Sequence, residues 1–220
     1  MKRLLKIMLV LTLTVSIFAV KGTVYAADDS GTEWMELRFQ NFSYHTEVPE
    51  GAYALYQESD EEETYLIYSE AGELLNEVSV SYPTFSTNAA NSDVYTSFFT
   101  EKYSKTFGDN YYVKLLFTAC VQYYSSGSFR SFEALNYTHV GVDTAYPSME
   151  AYNCTSSAWP HTGRYPCTRL DFAYSTSVRT TGTVSASVGN ILGGFGFTGT
   201  SGIYKYGTIS HNGYFELYNR

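Results

Sequence analysis

Residues Tyr111–Tyr124 read YYVKLLFTACVQYY. Phe117, Ala119, Val121 and Tyr123 alternate there with Leu116, Thr118, Cys120 and Gln122. Successive side chains of an extended strand point to opposite faces, so the two sets look in opposite directions. The first set is the better core face.

Similar short segments recur on both sides, bounded by turn residues. They are Met35–Tyr44, Ala52–Gln57, Thr64–Tyr68, Glu77–Tyr82, Phe132–Val142, Leu170–Thr176, Gly182–Val188, Ile203–Ile209 and Tyr214–Tyr218. The chain carries 22 Tyr and 14 Phe, residue types that suit half-buried pleated surfaces. Many short strands at short spacing predict a mainly β fold, an antiparallel β-sandwich. One segment breaks the pattern. Tyr95, Phe98, Phe99, Tyr103 and Phe107 fall on a helical stripe within Ser92–Phe107, with Asn91, Ser92 and Asp93 as caps and Gly108 after it. One short helix is expected there, against a Thr, Ser and Phe content that favours a strand.

Residues 1–26 follow the plan of a secretory signal peptide. Lys2, Arg3 and Lys6 precede the apolar run Ile7–Val20, and Val24-Tyr25-Ala26 offers small residues for cleavage. The run is short for a spanning helix, which needs about 20 residues. The expectation is an exported, extracellular protein made of one domain, residues 27–220, with no stable membrane anchor. Loss of the segment would leave ten basic against 22 acidic residues, taking the net charge from −8 to −12. Such a balance argues against nucleic acid, whose phosphates call for a basic surface.

Charge is uneven along the chain. Residues 27–109 hold 17 acidic and 3 basic residues, while 110–220 hold 5 and 7. An acidic first half can mark a pro-region, but Tyr, Leu and Val alternate among these charges as in packed strands. The run Glu58–Glu63 lacks the spacing of a calcium loop and reads as a hairpin tip.

Outside the cell a disulfide is permitted. Cys120, Cys154 and Cys167 allow three single pairings. Cys154–Cys167 is the expected one, because the intervening TSSAWPHTGRYP has the residues to fold back. Closing that loop would be worth roughly 3 kcal/mol. Cys120 reads as a buried thiol. The same loop carries the best concentrated binding candidates: Trp159, His161, Arg164 and Tyr165. Flat aromatic faces and a planar guanidinium are enriched where proteins bind. The competing reading is that Trp159 and Tyr165 tuck inward and cap the core.

Signals for chemistry are sparse. His45, His139, His161 and His211 are dispersed without metal-ligand spacing, so no metal or cofactor is expected. No Gly-x-Ser-x-Gly elbow occurs. Gly194–Gly199 matches G-x-G-x-x-G, but no helical stripe follows it, and a Gly-rich turn is the better reading.

From Tyr112 onward, YVKLLFTACVQYYSSGSFRSFEALNYTHVGV and later LDFAYSTS resemble small secreted β-rich proteins of Gram-positive bacteria that have no known activity. The resemblance covers the second half and implies a β-sandwich, with no site residue. The leading functional expectation is a non-enzymatic extracellular binding protein for a glycan or a protein surface. A membrane-active, bacteriocin-like toxin restrained by its acidic first half is the second reading, and a secreted hydrolase is the third; the dyad alternation of Gly182–Gly189, which membrane-inserting hairpins share, reads as an ordinary sheet strand.

Overall fold

A computed structural model describes residues 23–25, 31–82, 93–107, 111–126, 128–182, 186–199 and 206–218. Of the expected signal segment, only Thr23–Tyr25 lies within these residues.

The strands, in chain order, are β1 (Thr23–Tyr25), β2 (Thr32–Arg38), β3 (Phe42–Pro49), β4 (Tyr53–Glu58), β5 (Glu62–Tyr68), β6 (Leu74–Ser81) and β7 (Val94–Phe107). They continue with β8 (Tyr111–Ser126), β9 (Phe129–Ala145), β10 (Met149–Pro160), β11 (Arg169–Thr180) and β12 (Tyr206–Leu217). A helix, α1 (Ala186–Gly194), precedes β12. Two antiparallel six-stranded sheets pack together as a β-sandwich. One is the meander β4-β5-β6-β7-β8-β9, and the other has the order β1-β2-β3-β12-β11-β10. Strand β12 inserts between β3 and β11, so early and late segments of the chain share one sheet. The acidic segment supplies strands to both sheets, with β3 bonded to β12 and β7 bonded to β8 along its whole length.

Val113, Leu115, Phe117, Ala119, Val121 and Tyr123 of β8 are all buried, as the alternation requires. They meet the inner face of the second sheet in a core dominated by rings. Phe117 stacks on Phe172 at 5.1 Å, and Phe99 on Phe215 at 3.8 Å. Phe42 meets Phe99 and Tyr123 edge-on at 4.8 and 4.9 Å. Such pairs add about 0.5–1.5 kcal/mol each beyond the area they bury. Gly213 in β12 makes room for one of these rings. A Cβ there would lie 2.6 Å from the His45 carbonyl oxygen and 2.7 Å from Phe172 Cζ.

Four expectations need correction. The helix expected over Ser92–Phe107 is strand β7, with Ser97, Phe99 and Glu101 buried in alternation. Two of the four buried residues of β7, Ser97 and Glu101, are polar, so the period of two was hidden, and the exposed Phe98 and Tyr95 mimicked a helical stripe. Conversely, the strand expected at Gly182–Val188 gives way to α1 from Ala186, because Val188 and Leu192 share the face turned to the core. The strand expected over Met35–Tyr44 is two strands joined by a tight turn, in which Phe39 N–H donates to Phe42 C=O. The strands expected at Ile203–Ile209 and Tyr214–Tyr218 are one continuous strand over Tyr206–Leu217; residues 203–205 lie outside the described residues.

The expected Cys154–Cys167 bridge is also absent; all three cysteines are free. Cys154 lies inside β10, six residues before the hairpin end at Pro160, or roughly 20 Å at strand rise. Cys167 lies at the far end of that hairpin, bridged to Phe132. A disulfide needs Cα atoms within about 7 Å. Cys154 Sγ instead meets Thr176 Oγ1 at 3.2 Å.

The Gly194–Gly199 run ends a helix and does not begin one. Phe197 N–H donates to Leu192 C=O and Gly196 N–H to Gly193 C=O, with Gly196 at φ +81°. That is a Schellman closure, in which the left-handed residue is best a glycine. Phe197 then packs edge-on against Phe107 at 5.0 Å. The Glu58–Glu63 run does form the β4–β5 tip, but Glu63 turns inward and accepts hydrogen bonds from Gln40 N–H at 2.7 Å and the Tyr82 hydroxyl at 3.3 Å.

Candidate binding face

Strand register assembles a row of side chains across the outer face of the second sheet. Trp159 pairs with Asp171, Asp171 with Tyr214, Tyr214 with His45, and His45 with Glu36. Each alternates with a core residue on its own strand, so each looks outward. Trp159 is 44% exposed, which rules out the inward-capping alternative for this side chain.

The row is held by ionic and ring contacts. Asp171 accepts at both oxygens. Arg169 Nε and Nη2 each lie 2.8 Å from Oδ1, and His161 Nδ1 lies 2.7 Å from Oδ2. A carboxylate only accepts, so His161 Nδ1 carries the hydrogen. The Arg169 guanidinium lies over the Tyr214 ring, 3.6 Å from its centroid. Tyr214 also stacks on His45 at 4.2 Å and meets Trp34 at 5.6 Å. His45 Nε2 is 3.0 Å from Ser43 Oγ. Burial, opposed by the Glu36 charge, holds the His45 pKa below its usual value. The chain has two tryptophans, and both stand on this face.

Beside the row the surface dips into a trough of about 530 Å³. Its outward side chains are Thr155, Ser157, Ala173, Ser175, Ser210 and Asn212, all small or polar. The face thus offers flat apolar rings at one border and hydrogen-bonding groups along a shallow floor.

Of the four residues proposed from sequence, Trp159 and His161 lie in this row or beside it. Arg164 is exposed at the hairpin end, where its carbonyl accepts from the Thr162 hydroxyl at 3.2 Å. Tyr165 is half-buried against the core and takes no part. Sequence reading missed Asp171, Arg169, Tyr214, His45 and Trp34. The alternation in β11 marks Arg169 and Asp171 as outward, but nothing local pairs them with β10 or β12.

A second concave region lies between the sheets, a cleft of about 720 Å³. Its floor includes His211, Asn76 and Tyr103. Behind them Glu101 is 2% exposed. Glu101 accepts from Asn76 Nδ2 at 2.9 Å and the Tyr174 hydroxyl at 3.0 Å, and it faces His211 Nε2 at 3.2 Å. Burial first, then the Glu101 charge, pushes the Tyr174 and Tyr44 hydroxyls well above their usual pKa. The same causes push Tyr103 up to about 12.

A histidine and a carboxylate converging in a polar pocket invite a hydrolytic reading. The ring geometry opposes it. Thr46 Oγ1, at 3.1 Å, and Glu101 both meet the same nitrogen, Nε2. An activated hydroxyl and its orienting carboxylate must sit on opposite nitrogens. Ser43 and Glu216 share Nε2 of His45 in the same way, at 3.0 and 3.9 Å. Among the described residues no group of three His, Cys, Asp or Glu side chains stands close enough to hold a metal ion.

No protein-family model, curated protein or solved structure matches this chain.

Proposed function

We propose that this chain is an exported binding protein that holds a glycan against the outer face of β3, β12, β11 and β10. Export rests on the pattern of residues 1–26. The observation that carries the binding role is the registered row Trp159–Asp171–Tyr214–His45 beside a trough of small polar side chains. Sugar rings combine an apolar C–H face with a rim of hydroxyls. Trp159 offers an exposed flat surface for the first, while serine, threonine and asparagine suit the second. Arg169 and His161 are already tied to Asp171, so the ionic cluster arrives pre-ordered and costs little entropy on binding.

The test is binding of the full chain to a glycan array and to cell-wall preparations, repeated with Trp159→Ala and Asn212→Ala. Retained glycans should lose about ten-fold or more in affinity with Trp159→Ala, the scale of a binding hot spot. No binding by the wild type, or binding by both variants that matches the wild type, would refute the proposal.

A further inference from the structure

We infer that the glycan face is a groove for an extended, uncharged, β-1,4-linked chain of about five sugar rings, running from Trp159 on β10 to Trp34 on β2. The inference rests on the glycan reading above and names its ligand class.

Two rows of side chains run in parallel across five strands. The first is Trp159, Asp171, Tyr214, His45 and Glu36. Two residues along each strand a second row stands on the same face, because side chains at i and i+2 point the same way. It consists of Ser157, Ala173, Asn212, Glu47 and Trp34. Ser157 pairs with Ala173, Ala173 with Asn212, and Glu47 with Trp34. Asn212 and Glu47 continue the row one position past the bonded pair Gly213 and Thr46. Ser157, Asn212 and Glu47 are exposed, while Ala173 and Trp34 are half-buried.

The rows differ in height. Arg169 and His45 both pack on the Tyr214 ring, at 3.6 and 4.2 Å, so the first row is a ridge of stacked planes. Beside it Ser157, Ala173 and Asn212 make a low floor. The floor ends at Trp34, whose ring lies 5.6 Å from that of Tyr214. The two tryptophans therefore stand at opposite ends of one groove, four strand spacings or roughly 19 Å apart. A β-1,4-linked chain is a flat ribbon that advances by about one strand spacing per ring, so about five rings fill that length. Axially linked chains coil away from a straight floor.

Charge narrows the class. The cations of the ridge are already paired, Arg169 with Asp171 and Arg38 with Glu36. Glu47 stands exposed on the floor. A carboxylate accepts from sugar hydroxyls and repels a sugar carboxylate. The net charge of −8 acts in the same direction.

The experiment is calorimetric titration of the full chain with cello-oligosaccharides and chito-oligosaccharides of two to six rings, and with six-ring oligomannuronate. In at least one neutral series affinity should climb about ten-fold or more between two rings and five, then level off. Trp34→Ala should lower five-ring affinity about ten-fold and leave two-ring affinity unchanged, since two rings held at Trp159 do not reach β2. The wild-type length series needs no substitution and tests the groove even if Trp34→Ala disturbs Tyr214. Oligomannuronate should bind at least about ten-fold more weakly than the neutral six-ring chain, and Glu47→Gln should narrow that gap. Equal affinity for two and six rings, oligomannuronate bound as tightly as the neutral chain, or array binding with neither neutral series bound would overturn this inference and leave the glycan reading standing. No binding to any glycan on the array would remove both.

Discussion

Trp159 and Asp171 sit directly opposite one another across β10 and β11, and both face outward. Asp171 is the hub of the exposed face, since it accepts from Arg169 and His161 at different oxygens. Replacing it by Asn keeps the shape but removes the charge that orders both neighbours. His161 is 56% exposed and Arg169 33%, so solvent screens both pairs in part and the loss of stability should be about 1 kcal/mol. Glycan binding should fall well beyond that change. Urea unfolding alongside array binding of Asp171→Asn would show whether the two effects separate.

Gly213 should tolerate no side chain. A methyl group there meets backbone at His45 and the ring edge of Phe172, which is packed between Phe117 and Phe215. Gly213→Ala is expected to cost about 1–3 kcal/mol, the range for overpacking a core. The measurement is the urea midpoint, with an unchanged slope.

Glu101→Leu should be among the most damaging single changes. It leaves the Asn76 and Tyr174 donors buried without their acceptor and His211 Nε2 with Thr46 Oγ1 alone. A loss of about 3 kcal/mol or more is expected, because each stranded donor costs its desolvation. Glu101→Gln retains an acceptor and should cost less. Thermal unfolding of the two variants side by side would establish the order.

His45 should make the fold acid-sensitive. Its folded pKa lies below the unfolded value near 6.5, because burial disfavours the charged ring. The unfolded chain then binds the proton more readily. Stability from this group is complete above about pH 6.5 and is lost as pH falls below it, toward the folded pKa. His45→Gln, which cannot titrate, should show a shallower decline between pH 6.5 and 5 in urea titrations.

Thiol chemistry should show three free cysteines. Intact mass should be the same with and without reductant, and denatured protein should titrate three thiols. In the folded state burial pushes the Cys167 thiol up to about 11, so few molecules hold the reactive thiolate at pH 8. Cys154, only half-buried, should label first; Cys120 and Cys167 should lag until the chain unfolds. Loss of two thiols on oxidation would contradict the strand separation described above.

Legibility in the sequence followed burial chemistry. The β8 core face could be read directly, because all its inward residues are apolar and its outward ones are mixed. β7 could not, because Ser97 and Glu101 occupy inward positions where an alternation search expects hydrophobes. Trp159 and His161 stood out as residue types, but their partner Asp171 looked like an ordinary charge. Cys154 and Cys167 seemed close only because sequence distance ignores that a strand carries one of them away from the hairpin end.

What the chain determines by itself is its alternation. Ring-rich and β-branched segments, cut by turn residues, commit it to paired antiparallel strands with one apolar face, and that is enough for a sandwich. Which strands become neighbours is decided only in three dimensions. β12 closes between β3 and β11, a pairing set by long-range hydrogen bonds and core packing that no local pattern encodes. That single choice brings Tyr214 between His45 and Asp171, and His211 against Glu101. The binding face and the buried Glu101 cluster therefore both come from tertiary register, because side chains distant in sequence meet only where strands are bonded or packed.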